Sequence, residues 1–163
     1  MDYKFEPMSD DDRTAVIDIM NYFVDNSFAA YSETRIGYDS FDRFMAAIGD
    51  YPAETVKTVE GGVIGFGFLR AFREADSFRG TAEITYFIMP EHTGQGLGTR
   101  ILNHFIDEAK ARGISIFLAS ISSLNDQSIE FHRKHGFVEC GRFRGIGVKH
   151  GKIFDMVWMQ KQL

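Results

Sequence analysis

Gly94, Gly96 and Gly98 stand at alternate positions in the run Pro90-Glu91-His92-Thr93-Gly94-Gln95-Gly96-Leu97-Gly98-Thr99-Arg100. An apolar, strand-like run (Ile84 to Met89) precedes them, and a helix-like run (Leu97 to Arg112) follows. Glycine admits positive φ and lets a ligand come close to the main chain. The first N–H groups of the helix then point outward unpaired, and the helix dipole favours an anion there. This is a cradle for a phosphate or diphosphate. It is not a P-loop, because Gly98 is followed by Thr99-Arg100 and no lysine. It does not fit a dinucleotide fingerprint either. The spacing is G-x-G-x-G, and too many elements come before it. The bland alternative is a glycine turn that merely joins a strand to a helix.

A second constellation lies downstream, Asn125-x-x-Ser128-x-x-Phe131-His132-x-x-x-Gly136-Phe137. Asn125 is placed to cap a short helix. Upstream, Arg70, Arg73 and Arg79 cluster in and beside a polar segment, and arginine suits bidentate recognition of a carboxylate. The same arginines could equally form a solvated charge run. His92, His104, His135 and His150 show no metal-like pairing with a Cys or Asp cluster, so no metal site is expected.

These groups need elements to hold them. Lys4 to Met8 predicts a strand, and Ser9-Asp10-Asp11-Asp12 caps a helix over Asp10 to Val24. Asn26 to Tyr38 is a loop, and a second helix runs from Ser40 to about Gly49. Thr55–Val59 and Val63–Phe72 form a hairpin around Glu60-Gly61-Gly62. A loop, Arg73 to Arg79, leads to a strand over Thr81–Met89 and then to the glycine turn and its helix. The apolar run Ile114–Ile121 predicts a strand covered on both faces. A short helix to Lys134 follows, then strands over Gly136–Gly147 and Lys152–Met159. The order β-α-α-β-β-β-α-β-α-β-β predicts a single domain of α/β (α+β) class. Its sheet is mixed and mostly antiparallel, flanked by helices, with one βαβ crossover at the glycine turn.

The 163 residues suffice for one core. A net charge of −5 without a basic cluster argues against nucleic acid. No apolar run is long enough for a membrane, and the start of the chain does not resemble a signal peptide. One cysteine, Cys140, fits a reducing cytoplasm.

Thr93-Gly94-Gln95-Gly96-Leu97-Gly98 resembles the R/Q-x-x-G-x-G/A signature of the GNAT N-acetyltransferase superfamily, departing from it at Thr93. The downstream constellation resembles that family's second signature, N-x-x-S/A-x-x-L/F-Y/H-x-x-x-G-F. Asn21-Tyr22, Ala29-Ala30-Tyr31-Ser32-Glu33, Arg70-Ala71-Phe72 and Gly147-Val148-Lys149-His150-Gly151-Lys152 are similar to the phosphinothricin and methionine sulfoximine/sulfone acetyltransferase branch. The resemblance covers nearly the whole chain. It implies a GNAT fold with a splayed strand at the cofactor site. It also implies acetyl-CoA as co-substrate and direct attack by the amine of a small amino acid or analogue. The diphosphate would rest on the main chain of Gly94, Gln95, Gly96, Leu97, Gly98 and Thr99. The pantetheine arm would lie along Tyr86, Phe87 and Ile88 and bond to Asn125. Glu83 is expected to take the proton of the amine, directly or through water, and His132 to serve as acid or donor to the departing sulfur. Tyr31, Glu33, Arg70, Arg73 and Arg79 are expected around the acceptor. A homodimer, joined through the C-terminal strands or the first helices, is implied as well. A protein amine or polyamine as acceptor, or a non-catalytic acyl-CoA-binding role, stays open at this point.

Overall fold

The computed structural model describes residues 2–163. Along the chain run β1 (Tyr3–Pro7), α1 (Arg13–Asn26), α2 (Ser40–Ile48), β2 (Ala53–Thr58) and β3 (Val63–Ala71). There follow β4 (Thr81–Ile88), α3 (Leu97–Ala111), β5 (Ile116–Ser122), α4 (Asp126–Lys134), β6 (Val138–Lys149) and β7 (Lys152–Gln162). One seven-stranded sheet has the order β1-β2-β3-β4-β5-β7-β6. Every pair is antiparallel except β4–β5. The single parallel pair follows from the α3 crossover, which returns the chain in the direction it left.

Two apolar layers cover the two faces of the sheet. Phe66, Phe68 and Phe87 meet Val16, Ile17 and Phe41 from α1 and α2 on one side. On the other, Leu69, Ile84 and Phe117 meet Leu97, Ile101 and Phe105 of α3, with Phe131 of α4 at the margin. Alternation along each strand divides its residues between these layers. Glu83, Thr85 and Phe87 therefore face α1 and α2, while Ile84, Tyr86 and Ile88 face α3 and α4.

Ser9 begins the first helical segment through a reciprocal box. Its N–H donates to Asp12 Oδ2 at 3.0 Å, a sequence-local device that places the helix start. Several boundaries differ from expectation by a few residues, among them α1, which starts at Arg13, and β7, which runs on to Gln162. β5 begins at Ile116, because Gly113 (φ 76°) ends the α3 exit turn and Ile114 is spent on the core rather than on the ladder. β6 extends to Lys149, and register shifts between Glu139 and Gly141 and between Phe143 and Gly147 absorb its extra length.

Candidate active site

The site begins where a ladder stops. β4 and β5 pair over Thr81–Glu83 and Ile116–Leu118 only, yet β4 runs on to Ile88 and β5 to Ser122. The two strands part beyond Glu83. Met89 N–H donates to Ile64 O at 2.9 Å, and Gly80 O accepts from Ile116 N–H at 3.0 Å. Main-chain groups alternate sides along a strand, so Phe87 belongs to the β3 ladder, while Tyr86 and Ile88 direct N–H and C=O into the gap. Phe87, expected beside them as a main-chain contact, instead presents its ring. An unpaired strand edge next to a cleft is a template for an extended, amide-bearing ligand.

A cleft of about 700 Å³ follows this edge. At one end are Thr93, Gly94, Gly96, Gly98 and Thr99. Gly96 caps α3 with φ 79°, a left-handed conformation that side chains resist. Gly98 serves a different need, since a Cβ there would come within 3.1 Å of the Phe131 ring. Removing that carbon lets α3 and α4 close on one another around the cleft. Gln95 is exposed and Leu97 is buried in the core. Neither lines the cleft; they alternate with its glycines at the helix start, where first-turn N–H groups lack intrahelical acceptors. His135 Nδ1–H donates to Phe131 O (2.8 Å), leaving Nε2 to accept from the Thr99 hydroxyl (2.9 Å). Asn125 caps α4 by accepting from Ser128 N–H at 3.2 Å while lining the cleft.

A smaller cavity, about 70 Å³, occupies the gap itself. Tyr86, Asn125, Ser128 and His132 line it from one side and Ser120 from the other. His132 is buried. Its Nδ1–H donates to Ser128 O (2.7 Å), and its Nε2 accepts from the Tyr86 hydroxyl (2.8 Å). Burial pushes the imidazole down to about 4, outweighing the raising effect of Ser128 O. Burial also drives the Tyr86 phenol well above its ordinary value. The expectation of a donor at His132 therefore meets a neutral ring whose proton already goes to a carbonyl. The hydroxyl that His132 orients belongs to Tyr86, a residue the sequence analysis valued only for its main chain.

The α1/α2 face of the sheet carries the polar groups. Arg70 Nη2 lies 3.2 Å from Glu83 Oε1, and the Glu83 side chain is only 12% exposed. Tyr31 Oη and Ser120 Oγ are 2.6 Å apart, and the Tyr31 ring stacks on Phe154 at 5.7 Å. Burial raises the Tyr31 phenol, opposed by the Ser120 bond and reinforced by the charge of Glu83. Phe72 packs edge-on against Trp158 and Phe78. Of the three arginines, Arg70 alone touches Glu83. Arg73 sits over the Phe72 ring, and Arg79 is exposed and paired with Asp76 at 2.8 Å. Glu33 accepts from His150 N–H rather than facing the gap. Ser120, Phe154, Trp158 and Lys149 escaped the sequence analysis as site residues. The single hydroxyl in the apolar run Leu118-Ala119-Ser120-Ile121 was a usable signal, and Lys149 lies in the Gly147–Lys152 segment already noted; Phe154 and Trp158 had none. Among the described residues, no group of three or more His, Cys, Asp or Glu is placed to hold a metal ion.

Residues 16–137 match the model of the acetyltransferase (GNAT) family. The chain is 32% identical to the L-amino acid N-acyltransferase MnaT of Escherichia coli (strain K12), over 93% of this chain and 89% of that one. It is also 32% identical to the L-methionine sulfoximine/L-methionine sulfone acetyltransferase of Salmonella typhimurium, over 93% and 90%. A phosphinothricin acetyltransferase from Sinorhizobium meliloti, solved in complex with acetyl-CoA, superposes with a TM-score of 0.92 at 29% identity. That match covers 100% of this chain and 89% of that one.

Proposed function

The chain belongs to the acetyltransferase (GNAT) family and is an acetyl-CoA-dependent N-acetyltransferase, and on that premise we propose that its acceptor is the α-amine of a small L-amino acid or analogue. The observation that carries the acceptor class is the Arg70–Glu83 pair beside the gap between β4 and β5. A zwitterion offers its carboxylate to the Arg70 guanidinium and its ammonium to the Glu83 carboxylate, exchanging one ion pair for two. Relatives named for amino acids and for methionine sulfoximine or sulfone support the same reading.

The diphosphate of coenzyme A rests on the α3 start between Gly94 and Thr99, and its pantetheine arm takes the open edge at Tyr86 and Ile88, bonded to Asn125. The thioester then lies in the gap, where a main-chain N–H from that edge polarises the acetyl carbonyl. Holding amine and thioester together supplies about 7–11 kcal/mol in well-oriented cases, so proximity carries most of the catalysis. Glu83 accepts the proton of the amine, directly or through one water. The nitrogen attacks the carbonyl carbon, a C–N bond forms and the C–S bond breaks. The departing thiolate takes a proton from the Tyr86 hydroxyl, which His132 orients, and that hydroxyl is restored by the second proton the nitrogen sheds on becoming an amide. Tyr31 and Phe154 wall the acceptor side, with Arg73, Arg79 and Glu33 at its margin.

β6 is the sheet edge and leaves Phe143, Ile146 and Val148 exposed, with Ile153 of β7 beside them. That strip suits a second copy of the chain, and we place the homodimer contact there. The balance of −5 suits neither nucleic acid nor an anionic membrane, and cytoplasm is the compartment we assign. No helix among the described residues is long and apolar enough to cross a membrane.

A panel of phosphinothricin, methionine sulfoximine, methionine sulfone and the common L-amino acids, followed by free-thiol release, tests the acceptor. Turnover of at least one is expected. Turnover of none, with acetyl-CoA still bound, rejects the amino-acid reading in favour of a protein amine or polyamine.

A further inference from the structure

Lys149 is among the largest fully buried side chains of the molecule, at 1% exposure, and it lines neither the cleft nor the gap. Its Nζ donates to Ala30 O at 2.5 Å and reaches Phe23 O at 3.5 Å. A buried ammonium is costly unless its protons find acceptors. These two carbonyls belong to the end of α1 and to the loop behind it, 126 and 119 residues away in sequence.

The neighbours of Lys149 bind the same loop. β6 and β7 are joined at His150 (φ 49°) and Gly151 (φ 74°), with Lys149 paired to Lys152 across the turn. Two successive residues of positive φ make a tight hairpin whose twist matches its strands. That tip offers His150 N–H to the Glu33 carboxylate, the His150 ring to Phe28, and the Lys152 ammonium to the Phe28 face. Farther down the hairpin, Phe154 stacks on Tyr31. The far end of the loop is fixed separately, by paired bonds between the Asn21 amide and the Ile36 main chain.

The strapped segment is where the two halves of the site meet. Ser27, Phe28 and Ala29 wall the cofactor cleft. Two residues on, Tyr31 reaches Ser120 and feels the charge of Glu83. Ala30, whose carbonyl Lys149 holds, lies between them.

We infer that Lys149 is a positioning residue for the acceptor: from the β6–β7 hairpin it fixes the 27–33 loop so that Tyr31 stands against Ser120. This rests on the amino-acid acceptor reading for its kinetic consequence, but not for its structural one. A loop without that tether samples positions in which Tyr31 has left Ser120, and the acceptor finds a formed pocket only part of the time.

Lys149→Met keeps the length and removes the donors. Hydrogen exchange of the full chain is expected to quicken roughly tenfold or more at amides 27–33 while the α3 amides stay unchanged. The KM for an amino acid from the panel should rise about tenfold and that for acetyl-CoA no more than threefold, since the loop supplies only part of one wall of the cofactor cleft; general destabilisation does not produce this split. Lys149→Gln, which is shorter but retains a donor, should fall between, and it carries the comparison if the Met variant does not fold. Unchanged exchange at 27–33 overturns the inference. So does faster exchange shared equally by α3, or equal rises in both KM values. If the wild-type chain acetylates no amino acid, the acceptor reading has failed, and the exchange experiment still decides the tether alone.

Discussion

The two halves of the site are made from different material. The half we assign to the cofactor is mostly backbone: an unpaired stretch of β4, a turn of glycines, the start of α3 and one capping asparagine. Most of it is consecutive, from β4 to α4, with Phe23 and Ser27–Ala29 closing one wall. The acceptor half is mostly side chains, delivered by segments that are remote in sequence. Tyr31 and Ser120 touch across 89 positions, and Lys149 secures Ala30 across 119. Backbone recognition tolerates many substitutions as long as the fold holds. Recognition by converging side chains can be rewritten by one. Such a molecule keeps its donor while its acceptor is free to change.

The sharpest way to break that contrast is Glu83→Gln. It is expected to lower kcat/KM about 10³-fold by removing the base, with acetyl-CoA affinity from calorimetry unaltered. A parallel loss of cofactor binding would mean that the halves are not separate.

The next effect concerns stability in the cofactor half. Burial holds His132 neutral, down to about 4, so the unfolded chain takes up this proton at a higher pH than the folded one. Its contribution is complete above the ordinary histidine pKa near ~6.5 and is lost as pH falls from there towards 4, about 3 kcal/mol in all. The Tm of the wild type should fall across this window more steeply than that of His132→Asn.

Gly96→Val comes third. A β-branched residue at φ 79° costs about 2 kcal/mol, which should weaken acetyl-CoA binding roughly thirtyfold and leave the acceptor KM alone. The smallest effect is expected from Arg70→Lys. Losing the planar fork should raise the acceptor KM about tenfold with little change in the KM for acetyl-CoA. The proposed dimer gives an independent check: the wild type should scatter light as a dimer and Ile153→Glu as a monomer, without touching either half.

The same contrast explains what the amino-acid sequence disclosed. The order of all eleven helices and strands is legible, because hydrophobic period, the Ser9 box and the glycine punctuation are local signals. Most positions lining the cleft, from Tyr86 through Thr99 to Asn125, lie close in sequence and share two spaced motifs, whereas Phe23 and Ser27–Ala29 reach it from far upstream. Main-chain direction was not legible. Whether Phe87 or its neighbours face the gap depends on which strand β3 pairs with and in what register. Nor was the fate of single polar side chains. Arg70, Arg73 and Arg79 look equivalent in a row of letters, yet one meets Glu83, one an aromatic face and one a solvent-exposed aspartate. His132 reads as a proton donor until the Ser128 carbonyl is seen to hold its Nδ1 proton.

The early parting of β5 from β4 has a bearing on the protein between turnovers. On the proposed placement of the pantetheine arm, a sheet with a missing rung is completed by its own coenzyme, which serves for the interval as a non-peptide strand. A ligand that binds only the folded form stabilises it by about 2.7 kcal/mol at a hundred times its Kd. Acetyl-CoA supply then sets how long each molecule survives proteolysis as well as how fast it works, and an acetyl-starved cell would clear this catalyst sooner.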